Sequence, residues 1–339
     1  MFFKMKMTAF RIISIFLLIG VVATVGLGEF IFWTVLKVSC SESATISKNN
    51  PYYFVPNGKD EGPFRGLKWE NHVNDDLSRW FLNDIDVEEI RIKDRDNNIE
   101  LSAWWIGKNY PKEKKTVIIV HGINASKKHF TQLIPASILA NAGLNVLLFD
   151  QRNHGESSCP TGRYFAGTKE WEDINTVVNW LIEKKDILSS QIGIHAVSGG
   201  TLAAQFIMAE RNDLLAFSLD SPIFDFERIV KSELEWNGVP PILWKLAVYI
   251  GKLHGIDIYA KKPSEGLESL NGRALLVFHG KEDTRVPFIH SKLLLKYAEE
   301  LGQPVAFVAS EDADHNEALL LEPEVFEASL PTFFITNLE

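Results

Sequence analysis

The chain has 339 residues, 46% of them hydrophobic and 23% charged, with a formal net charge of −9. This composition supports one or two globular cores, and the acidic balance, with no basic cluster interleaved with aromatics, argues against a nucleic-acid partner. Two cysteines, Cys40 and Cys159, make neither a disulfide framework nor a metal-binding spacing.

Residues 1–40 read as a signal anchor. Lys4, Lys6 and Arg11 precede an apolar run from Ile12 to Val38, interrupted by charge only at Glu29 and Lys37. A helix apolar on every face and flanked by positive charge fits a bilayer better than a protein core. The cationic end should stay cytoplasmic, leaving the bulk of the chain on the non-cytoplasmic side. Secretion after cleavage of a signal peptide is the alternative, with Gly26 and Gly28 as small residues before the cut. Apolar residues resume from Phe30 to Leu36, which favours the uncleaved anchor. Glu29 is expected near the outer interface with Trp33. Cys40 is not a convincing lipidation site, because Lys37 stands where an apolar residue is expected.

Residues 41–84 read as a linker and N-terminal extension, broken by Pro51, Pro56, Gly58, Gly62, Pro63 and Gly66. Its aromatics, Tyr52, Tyr53, Phe54, Phe64, Trp69, Trp80 and Phe81, suggest that part of it packs onto the following domain.

From residue 85 onward, strands and helices alternate. Val87–Ile92 and Ile99–Ile106 read as a hairpin around Asp96-Asn97-Asn98. Thr116–Val120 and Asn145–Phe149 are solidly apolar, as strands buried on both faces are. A helix over Lys127–Asn141 lies between them, and another follows at Trp171–Lys184. Further strands are expected before Ser198, at Leu214–Leu219, Ala274–Phe278 and Val305–Ala309. Helices are expected after Ser198, at about Phe288–Leu301 and at about Glu324–Asn337. Such alternation implies a mostly parallel sheet covered by helices, with its site at the strand C-terminal ends.

The stretch Gln191–Thr201 carries the strongest chemical signal. A short apolar strand runs into Ser198 and then into a helix. A serine on so sharp a turn is held in a strained backbone and pushed out of the sheet. Ala196 and Gly200 supply the small neighbours such a turn needs. Alone, this pentapeptide also suits an ordinary turn or helix cap. Downstream, His279-Gly280-Lys281-Glu282-Asp283-Thr284-Arg285-Val286-Pro287 follows one strand, and Asp314-His315 follows another. Serine, aspartate and histidine thus come in order, each just past a strand.

With His121-Gly122-Ile123-Asn124 and Asp150-Gln151-Arg152-Asn153-His154-Gly155-Glu156-Ser157 there are five motifs in order. From about Asp86 to the C-terminus the chain resembles an α/β-hydrolase, similar to membrane-anchored lipases, esterases and thioesterases grouped with serine aminopeptidases. It departs from the usual pattern at Ala196 and Asn153, where glycine is commoner. The resemblance implies an α/β-hydrolase domain over 85–339 with a mostly parallel eight-stranded sheet. It also implies a helical cap insertion at about 221–273.

On that reading Ser198 attacks a carbonyl carbon, His315 takes its proton and Asp283 orients the imidazole. The backbone N–H groups of Ile123 and Gly199 hold the oxyanion. Glu282 and Asp220 are alternative acids. His195 reads as a packed histidine, and His121 and His154 as turn-shaping ones. The aromatic and apolar residues of the cap, including Trp236 and Trp244, suggest a greasy acyl pocket. The expected activity is hydrolysis of carboxylic esters or thioesters of a small-molecule or lipid-like acyl substrate. A serine aminopeptidase-like peptidase and a non-catalytic membrane-tethered binding module are the alternatives. No metal or organic cofactor is implied.

Overall fold

The computed structural model describes residues 2–40, 46–56, 71–94, 98–107 and 115–339, with side chains of the first helix described from Ile12. Asp96 and Asn97 of the expected hairpin turn lie outside that range, as do Gly58, Gly62, Pro63, Phe64, Gly66 and Trp69 of the linker and the Lys4, Lys6 and Arg11 side chains.

Eight strands form one sheet: β1 (Val87–Asp94), β2 (Ile99–Ile106), β3 (Thr116–Val120), β4 (Asn145–Phe149), β5 (Ile192–Val197), β6 (Ala216–Asp220), β7 (Ala274–Gly280) and β8 (Ala306–Ser310). Their order is β1-β2-β4-β3-β5-β6-β7-β8. β2 is antiparallel to both neighbours, and every pairing from β4 through β8 is parallel. The sheet and its helices are those of the α/β-hydrolase architecture expected above.

The alternation of side chains along each strand divides the core into two layers. Ile118 and Val120 of β3 pack on one face with α3 (Glu170–Lys185) and α4 (Gly200–Glu210). Val117 and Ile119 pack on the other with α2 (Phe130–Asn141) and the C-terminal helix over Pro323–Asn337. Both faces are covered, so β3 to β7 are largely apolar and almost fully buried, with His195, Ser218, Asp220 and His279 as their buried polar exceptions in β5 to β7. α2 starts three residues later than its apolar pattern suggests. The buried Lys127 is occupied instead: its backbone N–H donates to Asp150 and its Nζ bridges Asp150 and Glu156.

The segment between β6 and β7 holds three helices, α5 (Phe226–Trp236), α6 (Trp244–Leu253) and α7 (Ser264–Glu268). α5 is capped by the Asp225 side chain, which accepts from Arg228 N–H.

The first helix, α1 (Phe2–Leu36), has a segment, Ile12–Leu36, apolar enough to be a membrane span or a signal sequence, with mean hydropathy 2.3. Every residue from Ile12 to Leu27 is exposed. From Gly28 onward the helix docks on α6. A methyl on Gly28 would come within 2.5 Å of Ile250, so only glycine allows so close an approach. Glu29 pairs with His254 at 2.8 Å, and Phe32 stacks on the same imidazole at 4.4 Å. Past the helix, Val38 N–H donates to Gly162 and Tyr164 N–H to Leu36.

Cys40 and Cys159 are joined, with Cα atoms 6.0 Å apart. This corrects the expectation that the two cysteines make no disulfide framework. They lie 119 residues apart in the chain, and only the docking of α1 against the loop after β4 brings them together.

Candidate active site

The parallel register aligns the ends of β3, β5, β6 and β7 at one edge: Val120 is level with Ala196, Val197 with Asp220, and Asp220 with Phe278. The residues just past these ends share one rim. Ser198 sits there at φ 52°, a left-handed conformation that costs an L-residue on the order of 1–3 kcal/mol. Its N–H donates to Asp220 and its carbonyl accepts from Thr201, which pins the turn on both sides. The small neighbours are required by space. Ala196 is fully buried, and a methyl on Gly200 would come within 2.5 Å of the His121 carbonyl and 2.8 Å of the Val120 carbonyl.

Three expected side chains meet at this rim. His315 Nε2 lies 2.9 Å from Ser198 Oγ, and His315 Nδ1 lies 2.8 Å from Asp283 Oδ2. The other Asp283 oxygen accepts from the N–H groups of Arg285 and Val286 at 2.9 and 2.7 Å. Burial pushes the Asp283 carboxyl up. The His315 and His279 imidazoles and their hydrogen bonds outweigh it and hold the group well below the usual carboxylate range. His279 is itself fixed between Ser291 Oγ and the Val286 carbonyl, 3.2 Å from Asp283. It is a supporting contact that the sequence reading missed. The strand-end His279-Gly280 step was its signal.

It is Asp283, not either alternative acid, that lies 2.8 Å from His315 Nδ1. Glu282 is exposed. Asp220 has its carboxyl beside the Ser221 hydroxyl, and burial raises it to about 6. Asp314 shapes the loop by accepting from the N–H groups of Thr284 and His315. His195 is packed in β5 against Ser218. His121 accepts from Gln151 N–H through Nε2, and His154 Nδ1 meets the Arg152 carbonyl. Both histidines hold turns.

Gly199 opens α4 and Ile123 follows β3. A methyl on Gly199 would lie 3.0 Å from the Ile123 nitrogen, so the two N–H groups are near neighbours beside Ser198. Tyr164, buried and absent from the sequence reading, fixes this corner: its hydroxyl donates to the Gly199 carbonyl at 2.6 Å.

Two cavities meet at Ser198. The larger is almost wholly apolar and runs between α1, α5 and α6, lined by Phe32, Val35, Ile229, Leu234, Val248 and Ile256 among others. The smaller has a mixed lining and is bordered by Ala125, Thr131, Gln132, Arg285, His315 and Asn316. Trp236 and Trp244, expected in the pocket, line neither. Trp236 ends α5 with 56% of its surface exposed. The Trp244 ring is covered by the ammonium groups of Lys231 and Lys245. Smaller aliphatic residues on the inner faces of α5 and α6 form the wall instead.

A model of the prolyl oligopeptidase family matches residues 128–324. Over 205 residues the chain is 28% identical to the uncharacterized protein YqkD of Bacillus subtilis (strain 168), covering 59% of this chain and 64% of YqkD, so the match spans just under two thirds of that relative. The uncharacterized protein YfhR of Escherichia coli O157:H7 is 21% identical over 242 residues, 70% of this chain and 77% of YfhR. Among solved structures, the esterase Pf2001 of Pyrococcus furiosus has a TM-score of 0.61 at 24% identity, over 75% of this chain and 92% of that one. The acylaminoacyl peptidase of Pyrococcus horikoshii has a TM-score of 0.58 at 16% identity, over 76% and 42%. At such identities these structures speak for the fold. The family match takes in more than half of the chain and includes the serine elbow and the loops carrying Asp283 and His315: the chain belongs to the prolyl oligopeptidase family, within the α/β-hydrolase superfamily.

Proposed function

We propose that the protein cleaves carboxylic esters or thioesters of a hydrophobic acyl group through an acyl-enzyme on Ser198. Ser198 Oγ attacks the carbonyl carbon as its proton passes to His315 Nε2. Asp283 holds the imidazole in the tautomer with Nδ1–H and stabilises its cation. The oxyanion is held by the Ile123 and Gly199 N–H groups, whose dipoles are fixed before the reaction begins. Collapse breaks the bond to the leaving alcohol or thiol, which takes the proton from His315. Water then attacks the acyl carbon by the same route, releasing the acid and restoring Ser198.

The observation carrying this reading is the apolar cavity that ends at Ser198. A peptide chain needs polar partners for its backbone along the site; an acyl chain needs none. The family match and the fold shared with an acylaminoacyl peptidase favour amide cleavage as the second reading. Paired assays with p-nitrophenyl acyl esters and aminoacyl-p-nitroanilides separate the two. Turnover of the esters is expected, and turnover of the anilides alone would overturn the ester reading.

We read α1 as a retained anchor, with the cationic end cytoplasmic and the catalytic domain on the other side. The Cys40–Cys159 link supports that orientation, because such bonds persist in oxidising compartments.

A further inference from the structure

α1 does more than end beside the catalytic domain. From Ile12 to Leu27 all its residues are exposed. At the α-helical rise this stretch is roughly 24 Å long, most of a bilayer's hydrocarbon thickness. The next two turns change character abruptly. Ile31 and Phe32 are 0% and 2% exposed, and together with Val35 and Leu36 they line the apolar cavity that reaches Ser198. The cavity therefore begins where the exposed span ends.

The docking is fixed by several independent contacts. Gly28 packs on Ile250, Glu29 pairs with His254, and Phe32 lies in a cluster with Ile250, Ile256 and Ile258. Arg163 stacks over Phe32 and Phe165, and the Cys40–Cys159 link closes the connection. A simple tether needs none of these. They hold one wall of a cavity in register with the rest.

The smaller cavity beyond Ser198 carries more polar groups than the larger one. Gln132 and Asn316 are 1% and 3% exposed. Among the described residues, Gln132 Oε1 and both polar atoms of the Asn316 amide have no hydrogen-bond partner. Buried polar groups are rarely left so, because each costs about 1–3 kcal/mol. The space they face is only about 10 Å³, enough for a single hydroxyl of the leaving group next to the scissile bond.

We infer that α1 is a substrate-binding element: its last two turns form one wall of the acyl channel, and the substrate is a membrane-resident ester with a long acyl chain and a polar alcohol. The acyl chain lies between α1, α5 and α6, and one hydroxyl of the alcohol lies at Gln132 and Asn316. This rests on the ester-hydrolase reading above.

The test uses the full-length enzyme in phosphatidylcholine vesicles carrying 4-methylumbelliferyl palmitate or butyrate. Val35→Trp narrows the channel from the α1 side. It is expected to lower the palmitate-to-butyrate ratio of kcat/KM by about tenfold or more, because several methylenes lose their site. Val22→Trp, in the exposed span, is expected to leave that ratio at the wild-type value. Val35→Ala, a variant that adds no bulk, is expected to move the ratio the opposite way from Val35→Trp. An unchanged ratio in both Val35 variants, or an equal fall in Val22→Trp, overturns the proposal. Fluorophosphonate labelling of Ser198 is followed in parallel. Wild-type enzyme that turns over neither ester and takes no label contradicts the hydrolase reading, whereas labelled enzyme with an unchanged ratio contradicts only the role of α1.

Discussion

Ser198 is held at φ 52° by the hydrogen bond from its N–H to Asp220 and by the Gly200 backbone against β3. This turn sets Oγ 2.9 Å from His315 Nε2, so the proposed attack needs no rearrangement. In the proposed mechanism Asp283 orients the imidazole, 2.8 Å from His315 Nδ1. Its carboxylate is kept ionised by two imidazoles and two backbone N–H groups. Asp283→Asn would place an amide against His315 Nδ1 and favour the wrong tautomer. A fall in kcat of about 10³–10⁴-fold is expected, with folding retained by circular dichroism. Tyr164→Phe removes the hydroxyl that holds the Gly199 carbonyl. A smaller loss, about three- to tenfold in kcat, is expected, because one neutral hydrogen bond contributes roughly 0.5–1.5 kcal/mol. The serine, acid and histidine were legible because each follows an apolar strand and stands in a short motif. Tyr164, Gln132 and Arg285 were not. Tyr164 and Gln132 enter the site from a loop and from α2, where neither period nor motif marks them, and Arg285 stands in the Asp283 motif without a sign of its role. Asn153, a departure from glycine, is accounted for by its setting. It adopts φ 65°, which asparagine tolerates, and its side chain accepts from the N–H groups of Thr161 and Gly162 and donates to the Arg163 carbonyl. It thereby shapes the loop on which α1 docks.

At the scale of elements, the central strands matched their apolar runs closely. β3 and β4 have the bounds expected, because burial on both faces leaves a polar residue only at the first position of each, Thr116 and Asn145. The cap was legible only as an interval. Its helices pack partly on each other and on α1, so their apolar faces carry no single sheet-facing stripe. This is why its tryptophans were misplaced. The turn from β5 into α4 depends on the absence of a side chain at Gly200. Gly200→Ala must displace β3 backbone, and a destabilisation of about 1–3 kcal/mol is expected, read as a lower thermal midpoint. α3 contributes a pH effect. Burial raises its first residue, Glu170, from the usual 4.5 to about 7. The folded state then holds the proton while the unfolded chain has lost it. The stability from Glu170 is therefore fully present below about 4.5 and is lost as pH rises through about 7. Glu170→Gln is expected to gain relative stability between pH 5 and pH 8, on the order of 1–3 kcal/mol. Parallel thermal melts at the two pH values check it, and a constant difference would contradict the assignment.

Across the whole molecule, the last turns of the helix read from sequence as an anchor pack against α6, while Ile12 to Leu27 stay exposed. Glu29, the charge that fits a membrane span poorly, pairs with His254 of the cap. The Cys40–Cys159 link ties the end of this helix to the loop after β4. Neither partner could be assigned from sequence, since each contact joins segments far apart in the chain. Cys40→Ser is expected to destabilise the protein by roughly 2–4 kcal/mol, and the unreduced wild-type protein is expected to resist maleimide labelling. Two free thiols in protein taken from its native membrane would contradict the proposed orientation. The central claim is that Ser198, His315 and Asp283 act as one unit at the rim of the sheet. Peptide mapping after fluorophosphonate treatment tests it most directly: the adduct is expected on Ser198 alone, at a rate that falls by orders of magnitude in His315→Ala. An adduct on another residue, or a Ser198 rate unchanged without the imidazole, would contradict it.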